Sequence, residues 1–194
     1  MEAVKMLRFL FALVAAMVAL FCFVPPPTQA QTPAQTQGPR VYVGVYLHDV
    51  SSFEQKNGVF DVDAELWAKW RGEFDPDLIR IANGSQLERT SLGRESDGTW
   101  HSARWRIRGT LRGEFPVHRF PFDEQTLAVV LELAEEDGQL VPDLAGSGMA
   151  RSFSITDWLY EPEFRPAIST RVFRSDLGSL AIEGGAAKVH RVGF

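Results

Sequence analysis

The stretch "VFDVDAELWAKW", Val59 to Trp70, alternates along its whole length. Phe60, Val62, Ala64, Leu66 and Ala68 fall on one side; Asp61, Asp63, Glu65, Trp67 and Lys69 fall on the other. Successive side chains of a strand point to opposite faces, so a period of two reads as a strand with one buried and one polar face. Trp70 falls on the apolar side and is expected in the core.

The same period runs upstream. In "VYVGVYLHDV", Val41 to Val50, the residues Val41, Val43, Val45 and Leu47 alternate with Tyr42, Gly44, Tyr46 and His48. Lys56-Asn57-Gly58 is a turn signal, so the two runs form a hairpin joined by a loop over Asp49 to Gly58. Downstream, Phe74-Asp75-Pro76-Asp77, Asn83-Gly84 and Asp97-Gly98 are turns. They delimit a short apolar run, Leu78 to Ala82, and longer runs over Leu87 to Leu92 and Trp100 to Leu111. In the last of these Trp105, Ile107 and Leu111 share one side, with Gly109 leaving a gap. Arg104, Arg106, Arg108 and Arg112 share the other. Thr126 to Leu133, Phe153 to Tyr160, Ile168 to Arg174 and Ala187 to Phe194 are further strand candidates. No segment sustains a period of 3.6. Nine or ten strands with frequent turns indicate an all-β, immunoglobulin-like β-sandwich; a closed barrel is the alternative.

The first 30 residues read differently. Lys5 and Arg8 precede an apolar run from Phe9 to Val24, Pro25-Pro26-Pro27 ends it, and Thr28-Gln29-Ala30 is a small-residue cleavage pattern. This is the pattern of a secretory signal peptide. An uncleaved anchor is the alternative, although the run has roughly 16 residues where about 20 are needed to span a bilayer. Residues 31 to 39 have a Pro/Gln/Thr linker composition, and residues 40 to 194 form the domain. The chain is thus expected to be exported across the inner membrane, to the periplasmic or extracellular face of the cell membrane. Its single cysteine, Cys22, lies in the leader, so the domain holds without a disulfide. A net charge of −5 argues against nucleic acid as a partner.

Catalytic constellations are not visible. His48, His101, His118 and His190 do not fall at zinc-ligand spacings, and no phosphate loop, nucleophile elbow or Cys nucleophile occurs. The expectation is a binding module without metal or cofactor, not an enzyme. Asn83-Gly84-Ser85 matches the glycosylation sequon.

One octet is distinctive: "HRFPFDEQ", His118 to Gln125. Pro121 stiffens the backbone between Phe120 and Phe122, and Asp123 can accept hydrogen bonds that hold the corner. Phe-Pro-Phe-Asp resembles the Pro-centred loop at the foot of the extracellular domain of pentameric ligand-gated ion channels, in the bacterial form that lacks the bracketing cysteines. "VYVGVYLHDV" resembles that family's first strand and "NGVFDVDAELWAKW" its second. "DPDLIRIANG" is similar to the segment entering the first ligand loop. Trp158 matches a Trp that precedes that family's late strands, and the "FRSDLGS" to "KVHRVGF" region resembles the hairpin whose tip carries its last ligand loop. The resemblance covers about Val41 to Phe194.

The resemblance implies a small-molecule or cation site between identical neighbouring subunits of a homopentamer. One subunit would supply Arg80 and Asn83, Glu135 and Glu136, and Phe173, Arg174 and Asp176 from three loops. Its neighbour would supply Glu65, Trp67 and Arg106. Phe120, Pro121, Phe122 and Asp123 would form the coupling loop, or else plug the bottom of the sandwich. The second loop, "AEEDG", has no aromatic, so an aromatic cage for quaternary ammonium is not expected. Its acids would suit a primary amine, a divalent cation or a proton-dependent response, or simply solvate a turn. The face of Arg104, Arg106 and Arg108 would attract an anionic ligand or an acidic edge, or block edge pairing. Family members continue into four membrane helices after the last strand, so membrane attachment is expected only through C-terminal helices that this chain does not contain. A free-standing secreted binding protein of the same fold is the alternative, with a secreted carbohydrate-binding or all-β enzyme module as a third.

Overall fold

The strand of Val59–Trp70 is present, and each of its alternate residues faces the side its period assigns. Phe60, Val62, Ala64, Leu66, Ala68 and Trp70 are buried, while Asp61, Asp63, Glu65 and Trp67 are half-buried and Lys69 is exposed. The computed structural model describes residues 38–118, 123–155, 157–161, 163–175 and 187–194. The expected leader, most of the expected linker, Phe120, Pro121, Phe122 and Asp176 lie outside the described residues.

Ten strands occur among the described residues: β1 (Arg40–Glu54), β2 (Val59–Trp70), β3 (Arg80–Ile81), β4 (Gly84–Ser96), β5 (His101–Arg112), β6 (Val130–Ala134), β7 (Gln139–Pro142), β8 (Gly148–Met149), β9 (Ala167–Val172) and β10 (Lys188–Gly193). They form two sheets. The first has the order β4-β5-β2-β1-β7, with β8 also paired to β1; the second has the order β3-β6-β10-β9. The core lies between them: Val43, Val45, Leu66, Trp105 and Ile107 of the first sheet join Leu131, Leu133 and Val192 of the second. This is an all-β sandwich.

Several elements depart from expectation. The loop expected over Asp49 to Gly58 is mostly strand, because β1 runs on to Glu54 through two register shifts, and only Gln55–Asn57 turns, as a 3-10 helix. Val50 is buried, and the Phe53 ring packs 4.8 Å from Phe115 and 5.0 Å from Trp158, so side-chain packing holds the chain extended. The strand expected from Thr126 begins only at Val130. The described residues of Phe153 to Tyr160 do not form a strand: among them is one isolated bridge, Ile155 with Trp158, and Asp157 has a φ of 65°. Its aromatics are held by packing, Phe153 on Tyr160 at 4.9 Å and Trp158 on Phe53, rather than by a ladder. Leu78 to Ala82 divides into a 3-10 turn, Pro76–Leu78, and β3.

The Arg face of β5 does not guard an edge. β5 lies inside its sheet, between β2 and β4. The gap at Gly109 has a direct cause. Gly109 has a φ of 127°, and a Cβ there would meet the Gln86 carbonyl oxygen at 2.0 Å. The register shift between Gly84 and Gln86 presses the β4 backbone onto this point.

Candidate functional site

The face of the first sheet turned away from the core carries a cross-strand charge network. Arg106 on β5 is opposite Glu65 on β2, and Arg108 is opposite Asp63. The Arg106 guanidinium donates to both Asp63 carboxylate oxygens, through Nε and, at 2.8 Å, Nη2; its Nη1 donates to Glu65 Oε1 at 3.2 Å. Arg108 Nε donates to Asp63 Oδ2 at 3.2 Å. His48 Nε2 on β1 lies 3.2 Å from the same Glu65 oxygen. The hydrogen bond from Arg106 holds the Asp63 carboxyl below the usual range despite partial burial, and the same bond raises the Arg106 pKa. Three adjacent strands are thereby tied through polar side chains.

Beside this network is an open hollow of about 310 Å³, lined by Glu65, Glu88, Thr90, Leu92, Arg106 and Arg108. Glu88 and Arg108 are register partners across β4 and β5. Such pairs bring Cβ atoms within about 5.5 Å, yet among the described residues no ion pair joins these two, because Arg108 turns its Nε to Asp63. Glu88 and Arg108 therefore line the hollow without an ion pair between them, whereas Arg106 and Glu65 in the same lining are paired.

Trp67 is on this face but is not a free aromatic. Its indole N–H donates to Asp143 Oδ2 at 3.1 Å, and Lys69 Nζ donates to the same oxygen at 3.0 Å. Asp143 Oδ1 accepts from the Gly146 N–H. Burial pushes the Asp143 carboxyl up, but the Lys69 and Trp67 hydrogen bonds outweigh it, and the net shift is downward.

The remaining candidate residues lie on the second sheet and its loops. Arg80 Nη2 lies 3.2 Å from Glu132 Oε1, and Arg191 donates to Glu132 Oε2 from Nε at 3.0 Å and from Nη2 at 2.8 Å. Glu132 is only 8% exposed, a buried carboxylate held by two arginines. Sequence reasoning passed it over; its signal was one acid inside the apolar run "VVLELA". Glu135 and Glu136 are exposed in the turn after β6, and Lys188 Nζ lies 3.5 Å from Glu135 Oε2. Asp137 in that turn has its pKa raised by burial and by the Glu136 charge. Phe173 follows β9, its N–H bonded to the Ala187 carbonyl and its ring 4.8 Å below the Arg171 guanidinium; Arg174 is exposed.

These placements divide the expected site. Glu135, Glu136, Phe173 and Arg174 gather at one end of the second sheet. Asn83 is at the other end, beside Val130 at the start of β6. Glu65, Trp67 and Arg106 lie on the outward face of the first sheet, so the sandwich separates them from Arg80 within one chain. Asp123 accepts the His118 N–H at 2.9 Å, and Gln125 Nε2 donates to the Pro116 carbonyl at 3.0 Å, so the two limbs of the Pro-centred loop are tied to each other. Among the described residues no group of three or more His, Cys, Asp or Glu side chains has a metal-holding arrangement, and no helix is long and apolar enough to cross a membrane.

No protein-family model matches this chain. No curated protein matches it either.

Proposed function

We propose that this domain binds a small charged ligand between neighbouring copies, in the manner of the extracellular domain of a pentameric ligand-gated ion channel. The hollow beside Arg106 carries this reading. It is open on one side and lined by Glu88 and Arg108, which do not close on each other. A ligand offering a cationic group to Glu88 and an anionic or polar group to Arg108 satisfies both. The open side needs a second wall. The loops of the same chain that would supply it, at Glu135 and Phe173, belong to the other sheet. A neighbouring copy brings them to the hollow, and a head-to-tail contact of this kind closes into a ring when the rotation permits.

The foot of the sandwich supports the coupling part of the proposal. The Pro-centred loop leaves β5 in one sheet and enters β6 in the other. Its returning limb meets the end of β10: Val129 and Phe194 exchange both backbone hydrogen bonds, each 3.1 Å. A segment following Phe194 would start beside this loop. The domain would then work on the periplasmic or extracellular side of a membrane.

The test is a fusion to the pore of a family member, with currents recorded against amines, amino acids, dicarboxylates and divalent cations. Glu88→Gln and Arg108→Gln are expected to shift the half-maximal concentration of the active ligand about tenfold or more, with the maximal current retained. Pro121→Gly is expected to impair opening more than binding. A fusion that assembles but answers no ligand, or equal losses of binding and current for Pro121→Gly, counts against the reading.

A further inference from the structure

We infer that Asn83 sets the position of the two limbs of the Pro-centred loop, and that Arg80 on β3 acts on those limbs through it. Its consequence for signalling rests on the channel-type reading above; the positioning itself rests on geometry.

Asn83 is in the turn between β3 and β4. Its Nδ2 donates to the Arg112 carbonyl at 2.9 Å and to the Ala128 carbonyl at 2.7 Å. Its Oδ1 accepts the Val130 N–H at 3.0 Å. Arg112 is the last residue of β5 and Val130 the first of β6, so one carboxamide holds both points where the loop is attached. The backbone reinforces it: Arg112 N–H donates to the Asn83 carbonyl at 2.9 Å, and Ala82 N–H donates to the Val130 carbonyl at 2.7 Å. A carboxamide supplies two donors and an acceptor on a short stem; a carboxylate supplies no donor and a hydroxyl only one.

β3 joins this clasp to the candidate ligand side. Arg80 pairs with Glu132, and Ile81 pairs with Leu131. Two residues, Ile81 and Ala82, separate Arg80 from Asn83, a reach of at most about 10 Å, with β3 hydrogen-bonded to β6. A displacement of the Arg80–Glu132 pair is therefore delivered to Asn83, and from there to Arg112 and Ala128. The next residue, Val129, passes it to Phe194.

Amide hydrogen exchange on the intact chain tests this without ligand or pore. Four proteins are compared: the unmodified chain, Asn83→Asp, Arg80→Gln and the double variant. Asn83→Asp keeps the volume and the acceptor but removes both donors. Exchange at 113–118 and 123–130 is expected to accelerate about tenfold, while Val43 and Ile107 in the first sheet stay unchanged. Arg80, which is largely exposed, should tolerate replacement without loss of fold. Arg80→Gln is expected to accelerate the same limbs several-fold on its own, and to add nothing once Asn83 is replaced. Uniform acceleration across both sheets, or additive effects in the double variant, overturns the inference. Should Asn83→Asp not fold, Arg80→Gln decides alone: acceleration confined to β3 and β6, with Gly113 to Phe115 unmoved, also overturns it. A failed ligand response with this exchange pattern intact would sink the channel reading only.

Discussion

The indole of Trp67 lies over Gly44 of the neighbouring strand. The two are register partners, and a Cβ on Gly44 would lie 2.2 Å from Cζ2 of the ring. A Cβ on Gly146 would lie 3.0 Å from the same atom. The ring thus occupies the space between two glycines, and its N–H reaches Asp143 in the loop between β7 and β8. Gly44→Ala is expected to displace the indole, break the Asp143 bond and lower stability by about 1–3 kcal/mol. Urea denaturation measures it. In a Trp67→Leu background the same substitution should cost much less, because the overlap is gone.

Asp143 gives the domain an acid limit. Its pKa in the folded chain lies below the ordinary aspartate value of 3.8, with burial opposed and outweighed by Lys69 and Trp67. A depressed carboxyl stabilises the fold fully above the unfolded value. That contribution is lost as pH falls through the folded one. Stability should therefore decline below about pH 4, and Asp143→Asn should flatten that decline while lowering stability at neutral pH. Thermal melts between pH 3 and pH 7 report both. An unchanged acid slope in the variant would remove Asp143 from the account.

Arg106 is the hub of the charge face. Its side chain is 21% exposed, and Asp63 and Glu65 are 28% and 31% exposed. Arg106→Met would leave two half-buried carboxylates with reduced pairing, a loss of about 1–3 kcal/mol at neutral pH. The Asp63 pKa should rise, since the Arg106 hydrogen bond is the largest cause of its depression. Carboxyl carbon shifts followed through an acid titration would show this. An Asp63 midpoint that does not move would contradict the assignment.

Trp70 anchors the core end of β2. It is 5% exposed, packs 5.6 Å from Phe74 and stacks on His101 at 5.7 Å. Trp70→Ala should destabilise by about 3–5 kcal/mol. A denaturation midpoint equal to that of the unmodified chain would show that the ring does not bear on folding.

The long strands were legible because a period of two is a local property. In β2 every second residue is apolar, and backbone geometry alone sends those residues to one face. β7 and β8 were not legible. They have four and two residues, include Pro142 and Gly148, and exist as strands only because β1 pairs with them in parallel. Phe153 to Tyr160 misled for the opposite reason: it is rich in apolar and aromatic side chains, but its aromatics pack on Phe53 and on each other, with no partner strand among the described residues.

For the candidate site, the sequence placed Glu65 and Arg106 on polar strand faces, and both lie there. It did not show that Trp67 is held by Asp143, 76 residues away, or that the Asn83 side chain bonds Ala128 and Val130, 45 and 47 residues away. By itself the sequence determined which side of its strand each residue takes, because alternation follows from the sterics of one extended chain. Only the tertiary structure decided which strands became neighbours, and so which polar groups met. Hydrogen-bond partners depend on how distant segments close on a shared core, and no local pattern encodes that distance.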